Sequence, residues 1–295
     1  MDLSVEQQDL LEFPIHSKIF LQGMAGSGKT TAGTNWLKKL LKAGVPAQEI
    51  LIYVPQRALA KPYELKLLEI MGIANSLINT LTLGGLARRM VDLFWPLISH
   101  SSGVLNPDQP PHFLTMETAQ YYMAHIVRPR IEDQGFFNSL TINRNRIYAQ
   151  ILDNLNKAAV MGFPYEQVGE RLKSAWVGDI EQYHIFDDLQ VCLEAFRTFC
   201  LENNLLDFSL QVEIFHKHLW DSPVCKAYLR RSFRHLIADN IEEDTPVSHE
   251  ILKAWLPEFD SALLIFDENA GFRYFLGADV QSALSLRKLC DEHIK

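Results

Sequence analysis

Short apolar runs alternate with amphipathic stretches in the first part of the chain. The runs Lys18–Gln22, Glu49–Val54 and Ile78–Leu83 are each followed by a polar or glycine-containing segment, a pattern typical of buried parallel strands. Between them, Thr31–Lys42 carries apolar residues at helical spacing, and a second helix is predicted from Ala60 to Met71. Strands that alternate with helices predict a mostly parallel sheet.

The same alternation returns near the end of the chain. Phe233–Asp239 and Ser261–Asp267 are apolar runs that end in an acid, and Pro246–Leu256 is the helix expected between them. The middle of the chain shows helical spacing and no convincing strand. The predicted fold is therefore an α/β sheet flanked by helices, with a helical insertion. The predicted limits are 1–92 for the first part of the sheet domain, 93–205 for the helical domain and 206–295 for the second part.

Composition narrows the class of protein without naming a function. The chain has 295 residues, a net charge of −8 and 47% hydrophobic residues, which is ordinary for a folded protein with an ample core. No apolar run reaches transmembrane length and the N-terminus does not resemble a signal peptide. The four cysteines show no C-x-x-C spacing and suggest reduced core residues. We therefore expect a cytoplasmic protein with no membrane partner.

Residues 23–30 read Gly-Met-Ala-Gly-Ser-Gly-Lys-Thr, which is the phosphate-cradling pattern G-x-x-x-x-G-K-[ST]. It lies between a predicted strand and a predicted helix, as a P-loop does. Lys29 is expected to reach the β- and γ-phosphates, and the Thr30 hydroxyl to bind Mg²⁺. Such a site also needs an acid at the end of a second strand. Asp239 is the favoured candidate, and Asp267 is the second.

The order of motifs resembles the N-terminal half of UvrD/Rep-type superfamily 1 DNA helicases, including the RecB/AddAB-like branch. Leu3-Ser4-Val5-Glu6-Gln7 is similar to that family's glutamine motif, and Gly23–Thr31 is similar to its P-loop. Val54–Ala58 and Thr82–Ala87 fall where the family contacts single-stranded DNA, with Gly84 in place of a histidine. Later segments, Leu206–Leu210, Ala238–Asp244 and Phe266–Ala278, follow the family's order more loosely.

The resemblance implies a P-loop NTPase with a RecA-like sheet, an inserted all-helical domain, and ATP and Mg²⁺ as cofactors. The implied nucleotide-binding residues are Gln7, Gly23, Ala25, Gly26, Ser27, Gly28, Lys29, Thr30, Thr31 and, as a substitute for a lost arginine, Arg273. The implied metal ligands are Thr30 and Asp239, and the implied DNA contacts are Gln56, Arg57, Thr82 and Phe275. The implied catalytic residues are Lys29 and Asp239.

Three positions depart from the family in ways that touch the chemistry. Asn240 stands where the family has the glutamate that polarises the attacking water, and an amide cannot accept that proton. Ala270 replaces a γ-phosphate-sensing glutamine, and Leu276 replaces an arginine. Glu242 and Glu243 are the candidates for a displaced catalytic base.

The resemblance also implies partners and a missing part. The partners would be single-stranded DNA or a junction of single- and double-stranded DNA, and a partner subunit of a helicase–nuclease complex. A second RecA-like domain is expected after the last motif, so this chain alone should not unwind DNA. Two alternatives stay open: a degenerate subunit that binds nucleotide, DNA or a partner without efficient hydrolysis, and a P-loop kinase of small molecules.

Overall fold

The computed structural model describes residues 4–72 and 78–295, so Leu3 of the glutamine motif lies outside the described residues. The strands are β1 (Lys18–Met24), β2 (Ile50–Tyr53), β3 (Asn79–Leu81), β4 (His112–Phe113), β5 (Leu205–Leu206), β6 (His235–Ala238), β7 (Ser261–Glu268) and β8 (Glu292–Ile294). The helices are α1 (Val5–Glu12), α2 (Lys29–Lys42), α3 (Lys61–Met71), α4 (Leu83–Ile98), α5 (Met116–Gln134), α6 (Arg144–Met161), α7 (Val168–Ala175), α8 (Tyr183–Glu202), α9 (Phe208–Ile214), α10 (Pro223–Ser232), α11 (Pro246–Trp255) and α12 (Val280–Ser285).

Six strands form one sheet in the order β3-β2-β6-β7-β1-β8, and every neighbouring pair is parallel. The α/β fold class predicted from the sequence is confirmed. In a parallel sheet all carboxyl ends lie at one edge, where ligands of open α/β sheets bind. In the register, Gly23 at the end of β1 lies opposite Asp267 of β7, and Tyr53 of β2 lies opposite Ala238 of β6.

Contacts between residues divide the chain into two compact units, one of residues 1–86 and 222–295 and the other of residues 87–221. The first unit holds the six-stranded sheet with α1–α3 and α10–α12. The second is helical except for β4 and β5, which pair in parallel over two residues each. The expectation of no strand in the middle of the chain was wrong for this pair, because two-residue strands are too short to show an alternating pattern.

The core of the sheet unit follows from the alternation of side chains along the strands. Alternate residues such as Ile19, Ile52 and Ile237 point to one face and pack with Trp36 of α2 and Tyr63 of α3. These five side chains are almost completely buried, with at most 1% exposed. Tyr53 follows Ile52 in β2 and therefore points to the opposite face, where its hydroxyl is hydrogen-bonded to Ser248 of α11 at 2.8 Å. The buried sheet gives the loops at its carboxyl edge a rigid base.

Two local expectations are corrected. The apolar run Ile78–Leu83 was predicted to be one strand, but β3 ends at Leu81, and Leu83 with the glycines that follow it forms the first turn of α4. Thr82 causes this, because its Oγ1 accepts the backbone N–H of Gly85 at 3.1 Å, which is the hydrogen bond of a helix N-cap. Helix α2 begins at Lys29, not at Thr31, with Gly28 as its N-cap. Among residues 4–72 and 78–295, no helix combines the length and the apolar character needed to cross a bilayer.

Candidate functional site

The predicted site segments lie at carboxyl ends of strands in the six-stranded sheet, apart from Gln7, which lies in α1 before β1. The glycine-rich loop (Gly23–Thr30) begins in the last two residues of β1, and Gln56 and Arg57 follow β2. Thr82 follows β3, Asp239 follows β6, and Phe275 lies in the turn after β7. Parallel pairing therefore collects segments that lie up to 250 residues apart in the chain at one edge of the sheet.

The glycine-rich loop leads directly into the N-terminus of α2. Gly28 has φ +85°, and its carbonyl accepts the N–H of Ala32 at 2.9 Å, so it starts the helix. A side chain at Gly28 would meet the amide nitrogen of Gln7 at 2.5 Å as well as forcing the left-handed backbone. The first turn of α2 contains no acidic residue. The loop and the N-terminal partial charge of α2 thus form a site suited to an anion.

Gln7 ties helix α1 to the glycine-rich loop. Its Nε2 donates to the carbonyl of Gly28 at 3.1 Å, and its Oε1 accepts the backbone N–H of Ser4 at 3.1 Å. An amide side chain has two N–H groups and two acceptor lone pairs. Within the residues that the structure describes, one N–H group and one lone pair of this amide therefore have no partner and could meet a further group, such as the edge of an adenine.

Lys29 is held in place by three oxygen atoms. Its Nζ lies 2.5 Å from Oδ1 of Asp267, 2.5 Å from the carbonyl of Met24 and 3.3 Å from Oγ of Ser27. The side chain is only 6% exposed. An ammonium has three N–H groups, so all of them are engaged. A phosphate that binds Lys29 has to replace at least one of these partners, and Asp267 is the charged one.

Thr30 and Asp239 meet at the centre of the site. Thr30 Oγ1 donates to Oδ2 of Asp239 at 3.0 Å, and the backbone N–H of Asn240 donates to Oδ1 at 2.9 Å. A hydroxyl and a carboxylate at this separation form the hard oxygen donor set that Mg²⁺ prefers. Thr30 and Asp239 therefore have the chemistry to hold the ion that the sequence predicts.

The structure adds Tyr63 to this site, a residue that the sequence did not reveal. Its hydroxyl donates to the same Oδ2 of Asp239 at 2.7 Å from the buried side of α3. Gly33 of α2 permits this approach, since a side chain there would collide with the Tyr63 hydroxyl. Nothing in the apolar pattern of α3 distinguishes this tyrosine from a core aromatic residue.

Burial has a clear electrostatic effect on Asp239. The residue is 1% exposed, and desolvation raises its pKa above the usual value. Hydrogen bonds from Tyr63, Thr30 and the backbone of Asn240 act in the opposite direction and favour the charged form. A divalent cation at this carboxylate would favour ionisation further.

A cavity of about 310 Å³ opens beside the glycine-rich loop, within the range of small-molecule sites. It is lined by Ser4, Glu6, Gln7, Leu21, Gln22, Gly23, Met24, Ser27, Lys29, Ala32, Glu268 and Lys295. Gln7 and Lys29 share this cavity, so a ligand in it can contact the glutamine amide and the Lys29 side chain together.

The β6 loop (Asp239–Asp244) differs from the sequence expectation in how its acids are used. Asn240 takes a left-handed conformation with φ +59°. Glu242 is fully buried, and its Oε2 accepts the backbone N–H of Asp267 at 3.0 Å. Its Oε1 is buried without a hydrogen-bond partner in the part of the chain that the structure describes. Burial raises the pKa of Glu242 to about 7.

Glu243 points to the segment after β7. Its carboxylate accepts the backbone N–H groups of Gly271, Phe272 and Arg273. The two adjacent glutamates thus have different partners. Glu242 has a buried carboxylate oxygen with no hydrogen-bond partner among the described residues, whereas both oxygens of Glu243 accept backbone N–H groups.

The aromatic turn (Phe272–Leu276) presents apolar rings to solvent. Phe275, the predicted base-stacking residue, is 67% exposed, while Phe272 and Tyr274 are 79% and 83% exposed. Gln56 and Arg57 are also exposed, whereas Thr82 is half-buried and engaged as the cap of α4. Arg273 donates its backbone N–H to Glu243, and its Nε is buried with no hydrogen-bond partner among the described residues.

Comparison with known proteins gives a match to a family model that spans most of the chain. The model of the UvrD/REP helicase N-terminal domain family matches residues 3–291. A search of curated proteins found no match. The family match spans the glycine-rich loop, the β6 loop and the aromatic turn alike.

Proposed function

The chain belongs to the UvrD/REP helicase N-terminal domain family, and from this we propose that it is the ATP- and Mg²⁺-binding portion of a DNA translocase or helicase that acts on single-stranded DNA. Gln7 would contact the adenine, and the glycine-rich loop would hold the phosphates. Lys29 would bind the β- and γ-phosphates. Thr30 and Asp239 would hold the metal ion, which draws charge from the phosphates when it is bound.

One observation carries the nucleotide part of this proposal. Thr30 and Asp239 are 209 positions apart in sequence, yet their side chains are joined by a hydrogen bond of 3.0 Å. Lys29 lies beside them, at the N-terminus of α2. A lysine, a hydroxyl and a buried carboxylate that converge at a helix N-terminus match the chemistry of a magnesium–nucleotide complex.

Nucleotide titration tests this part. A fluorescent ATP analogue should bind the protein in the presence of Mg²⁺, and Lys29→Ala should weaken binding about 10- to 100-fold, because it removes charge-assisted hydrogen bonds to phosphate. Lys42→Ala is the matched control, since Lys42 is exposed in the last turn of the same helix. Equal affinities of the two variants would contradict the assignment of Lys29.

The DNA part is supported by what the carboxyl edge exposes. Three exposed rings of the aromatic turn can stack on bases, and Gln56 and Arg57 on the loop after β2 are exposed and polar. Phe275→Ala should weaken binding of an oligo-dT strand about tenfold. Tyr121→Ala is the control, because it removes an exposed ring of the helical unit. Phe20→Ala would not serve, because Phe20 lies in the core. A loss of affinity equal to that of Tyr121→Ala would contradict the stacking role.

For hydrolysis we propose Glu242 as the base in place of Asn240. Support comes from its buried, unpartnered Oε1 and from a pKa of about 7, which suits a general base at neutral pH. The alternative, a subunit that binds nucleotide without efficient hydrolysis, is supported by Asn240 itself, whose left-handed backbone and amide provide no base. Turnover of ATP with and without single-stranded DNA, in a form that includes the second motor domain expected from the resemblance, separates the two.

The finer assignments rest on the motif resemblance. We propose the RecB/AddAB-like branch, a junction of single- and double-stranded DNA as substrate, and a partner subunit of a helicase–nuclease complex. The domain limits 1–92, 93–205 and 206–295 also stay predictions. Size-exclusion chromatography of the full protein with candidate nuclease subunits would test the partner.

A further inference from the structure

We propose that Glu243 is a positioning residue that fixes the aromatic turn for DNA binding and is not the catalytic base. This inference rests on the proposed function, since it concerns how the same site engages single-stranded DNA. It assigns a separate task to each of the two adjacent glutamates of the β6 loop.

The geometry of the Glu243 carboxylate is the first support. Its Oε1 accepts the N–H of Gly271 at 3.0 Å and of Phe272 at 2.9 Å, and its Oε2 accepts the N–H of Arg273 at 2.8 Å. Successive backbone N–H groups that converge in this way form a concave anion site. Here the anion is the protein's own carboxylate, and hydrogen bonds to a charged acceptor are the strong ones.

The aromatic turn has no apolar anchor. None of its five side chains, all of which the structure describes, is buried. It is a single 3-10 turn, and backbone hydrogen bonds at its ends include Tyr274 N–H to Gly271 O at 3.3 Å and Gly277 N–H to Tyr274 O at 3.0 Å. A turn without an apolar anchor depends on polar contacts for its conformation. The Glu243 carboxylate therefore sets where the rings of Phe272, Tyr274 and Phe275 are presented.

The position of Glu243 connects this turn to the proposed metal site. Glu243 lies four residues after Asp239, and its N–H is bonded to the carbonyl of Asn240 at 3.0 Å. The neighbouring Glu242 bonds the backbone of Asp267, whose side chain pairs with Lys29. The β6 loop is thus bonded to both ends of the segment from Asp267 to Arg273.

The same contacts argue against Glu243 as a base. A base needs a free oxygen within reach of the proton that it takes. Both carboxylate oxygens of Glu243 already accept hydrogen bonds from backbone N–H groups, so neither is free in this way.

Hydrogen exchange measures the proposed contact directly, without nucleotide or DNA. In Glu243→Ala, the amides of Gly271, Phe272 and Arg273 should exchange about tenfold faster than in the wild type, because three charge-assisted hydrogen bonds are lost. Glu243→Gln retains one acceptor oxygen and should exchange at an intermediate rate. Glu69→Ala, which removes an exposed ion pair on α3, is the control and should leave these amides unchanged. Unchanged exchange in Glu243→Gln and Glu243→Ala would overturn the proposal.

Binding then separates positioning from a general loss of structure. Glu243→Ala should weaken oligo-dT binding about tenfold, as Phe275→Ala does, and change the affinity for Mg·ATP less than about twofold. Glu243→Gln should recover part of the DNA affinity. If Glu243→Ala does not fold, Glu243→Gln carries the test alone. Loss of ATP affinity with unchanged DNA affinity would overturn the proposal.

The failure of the proposed function has a different signature. If the wild-type protein binds neither ATP nor oligo-dT, that function fails, while hydrogen exchange still decides whether Glu243 holds the turn. If turnover disappears equally in Glu243→Gln and Glu243→Ala with normal exchange and DNA binding, Glu243 is the base and the positioning role is overturned.

Discussion

The candidate site has two parts, which differ in how they use their residues. The β1 side is the glycine-rich loop, and the β6–β7 side is the β6 loop together with the segment after β7. On the β1 side, the glycine-rich loop has the residue types that phosphate binding requires, and the structure puts them in the expected place at the N-terminus of α2. On the β6–β7 side, Asp239 is in the expected place, but Asn240 is left-handed, Glu242 is buried and Glu243 is bonded to a turn.

This difference teaches that binding and chemistry impose different constraints on sequence. Phosphate binding uses backbone N–H groups and one lysine, so the pattern G-x-x-x-x-G-K-[ST] nearly determines the geometry. Proton transfer needs one correctly placed oxygen, which several residues of a loop can supply. The β6 loop contains two candidate bases, Glu242 and Glu243, and only their contacts distinguish them.

The largest expected effect is a loss of ATP turnover, caused by a substitution in the β6 loop that leaves the glycine-rich loop unchanged. Glu242→Gln should lower ATP turnover about 100- to 10,000-fold, the range for loss of a general base, while the affinity for Mg·ATP stays close to that of the wild type. Turnover of the form with a second motor domain and titration of a fluorescent ATP analogue measure the two quantities. Glu69→Ala is the control for handling and folding.

A different outcome for Glu242→Gln is equally informative. Retained turnover would show that the amide serves as well as the carboxyl, and that Glu242 holds the backbone of Asp267 and takes no proton. The proposal that the protein hydrolyses ATP would then lack a catalytic base in the β6 loop.

The second prediction concerns the ion pair that joins the two sides. Lys29 and Asp267 are 6% and 20% exposed, so Asp267→Asn leaves a buried ammonium without its charged partner. We expect the free energy of unfolding to fall by about 3 kcal/mol, and the affinity for Mg·ATP to rise, because the phosphate no longer competes with Asp267. Chemical denaturation with and without ATP measures both.

Asp260→Asn is the matched control for that variant. Asp260 pairs with Arg234 at 2.5 Å, but both side chains are more than a third exposed. Loss of an exposed pair costs about 0–1 kcal/mol. Equal destabilisation by the two variants, or weaker ATP binding by Asp267→Asn, would contradict the competition between Asp267 and phosphate.

The sequence predicted the sheet strands and the glycine-rich loop well because these depend on local pattern. Apolar runs predicted β1, β2, β6 and β7 to within a few residues, and the fold class is confirmed. It did not predict β8 or the first turn of α4, since Glu292–Ile294 is short and polar and the cap by Thr82 is a side-chain contact.

The contacts that define the site chemistry lay beyond the sequence. Tyr63 reaches Asp239 across 176 positions, and Glu243 reaches the aromatic turn across about 30. Neither contact leaves a periodic signal, because each depends on how separate segments are brought together by the sheet. The exposure of Phe275 likewise depends on the tertiary fold, and the structure places 67% of this residue in solvent.

The third prediction uses pH to separate Glu242 from the other acids. Burial raises its pKa from 4.5 to about 7, so the native carboxyl keeps its proton at pH values where the unfolded chain has lost it. The free energy of unfolding should therefore fall as the pH rises from 4.5 through 7, by on the order of 3 kcal/mol from this residue. Urea unfolding between pH 4 and pH 8 measures it.

Glu242→Gln is the reference for that pH series. Burial also raises the pKa of Asp239 and Asp244, so both proteins lose stability with rising pH from those residues. Only the wild type has the additional fall from Glu242, because glutamine does not titrate. Parallel stability curves for the two proteins would contradict a raised pKa at Glu242.

The smallest expected effect comes from a substitution of Tyr63, which contacts Asp239 of the β6 loop from α3. Tyr63→Phe removes one of the two hydroxyls that donate to Oδ2 of Asp239 and leaves Thr30 as the other. The carboxylate becomes less firmly oriented, so we expect about a tenfold higher Mg²⁺ concentration for half-maximal ATP binding and a loss of about 1 kcal/mol in unfolding free energy. ATP titrations at several Mg²⁺ concentrations measure the first quantity. Tyr121→Phe, at an exposed ring of the helical unit, is the control. If Tyr63→Phe lowers stability without changing the Mg²⁺ requirement, the tyrosine serves the core of the sheet unit and not the metal site.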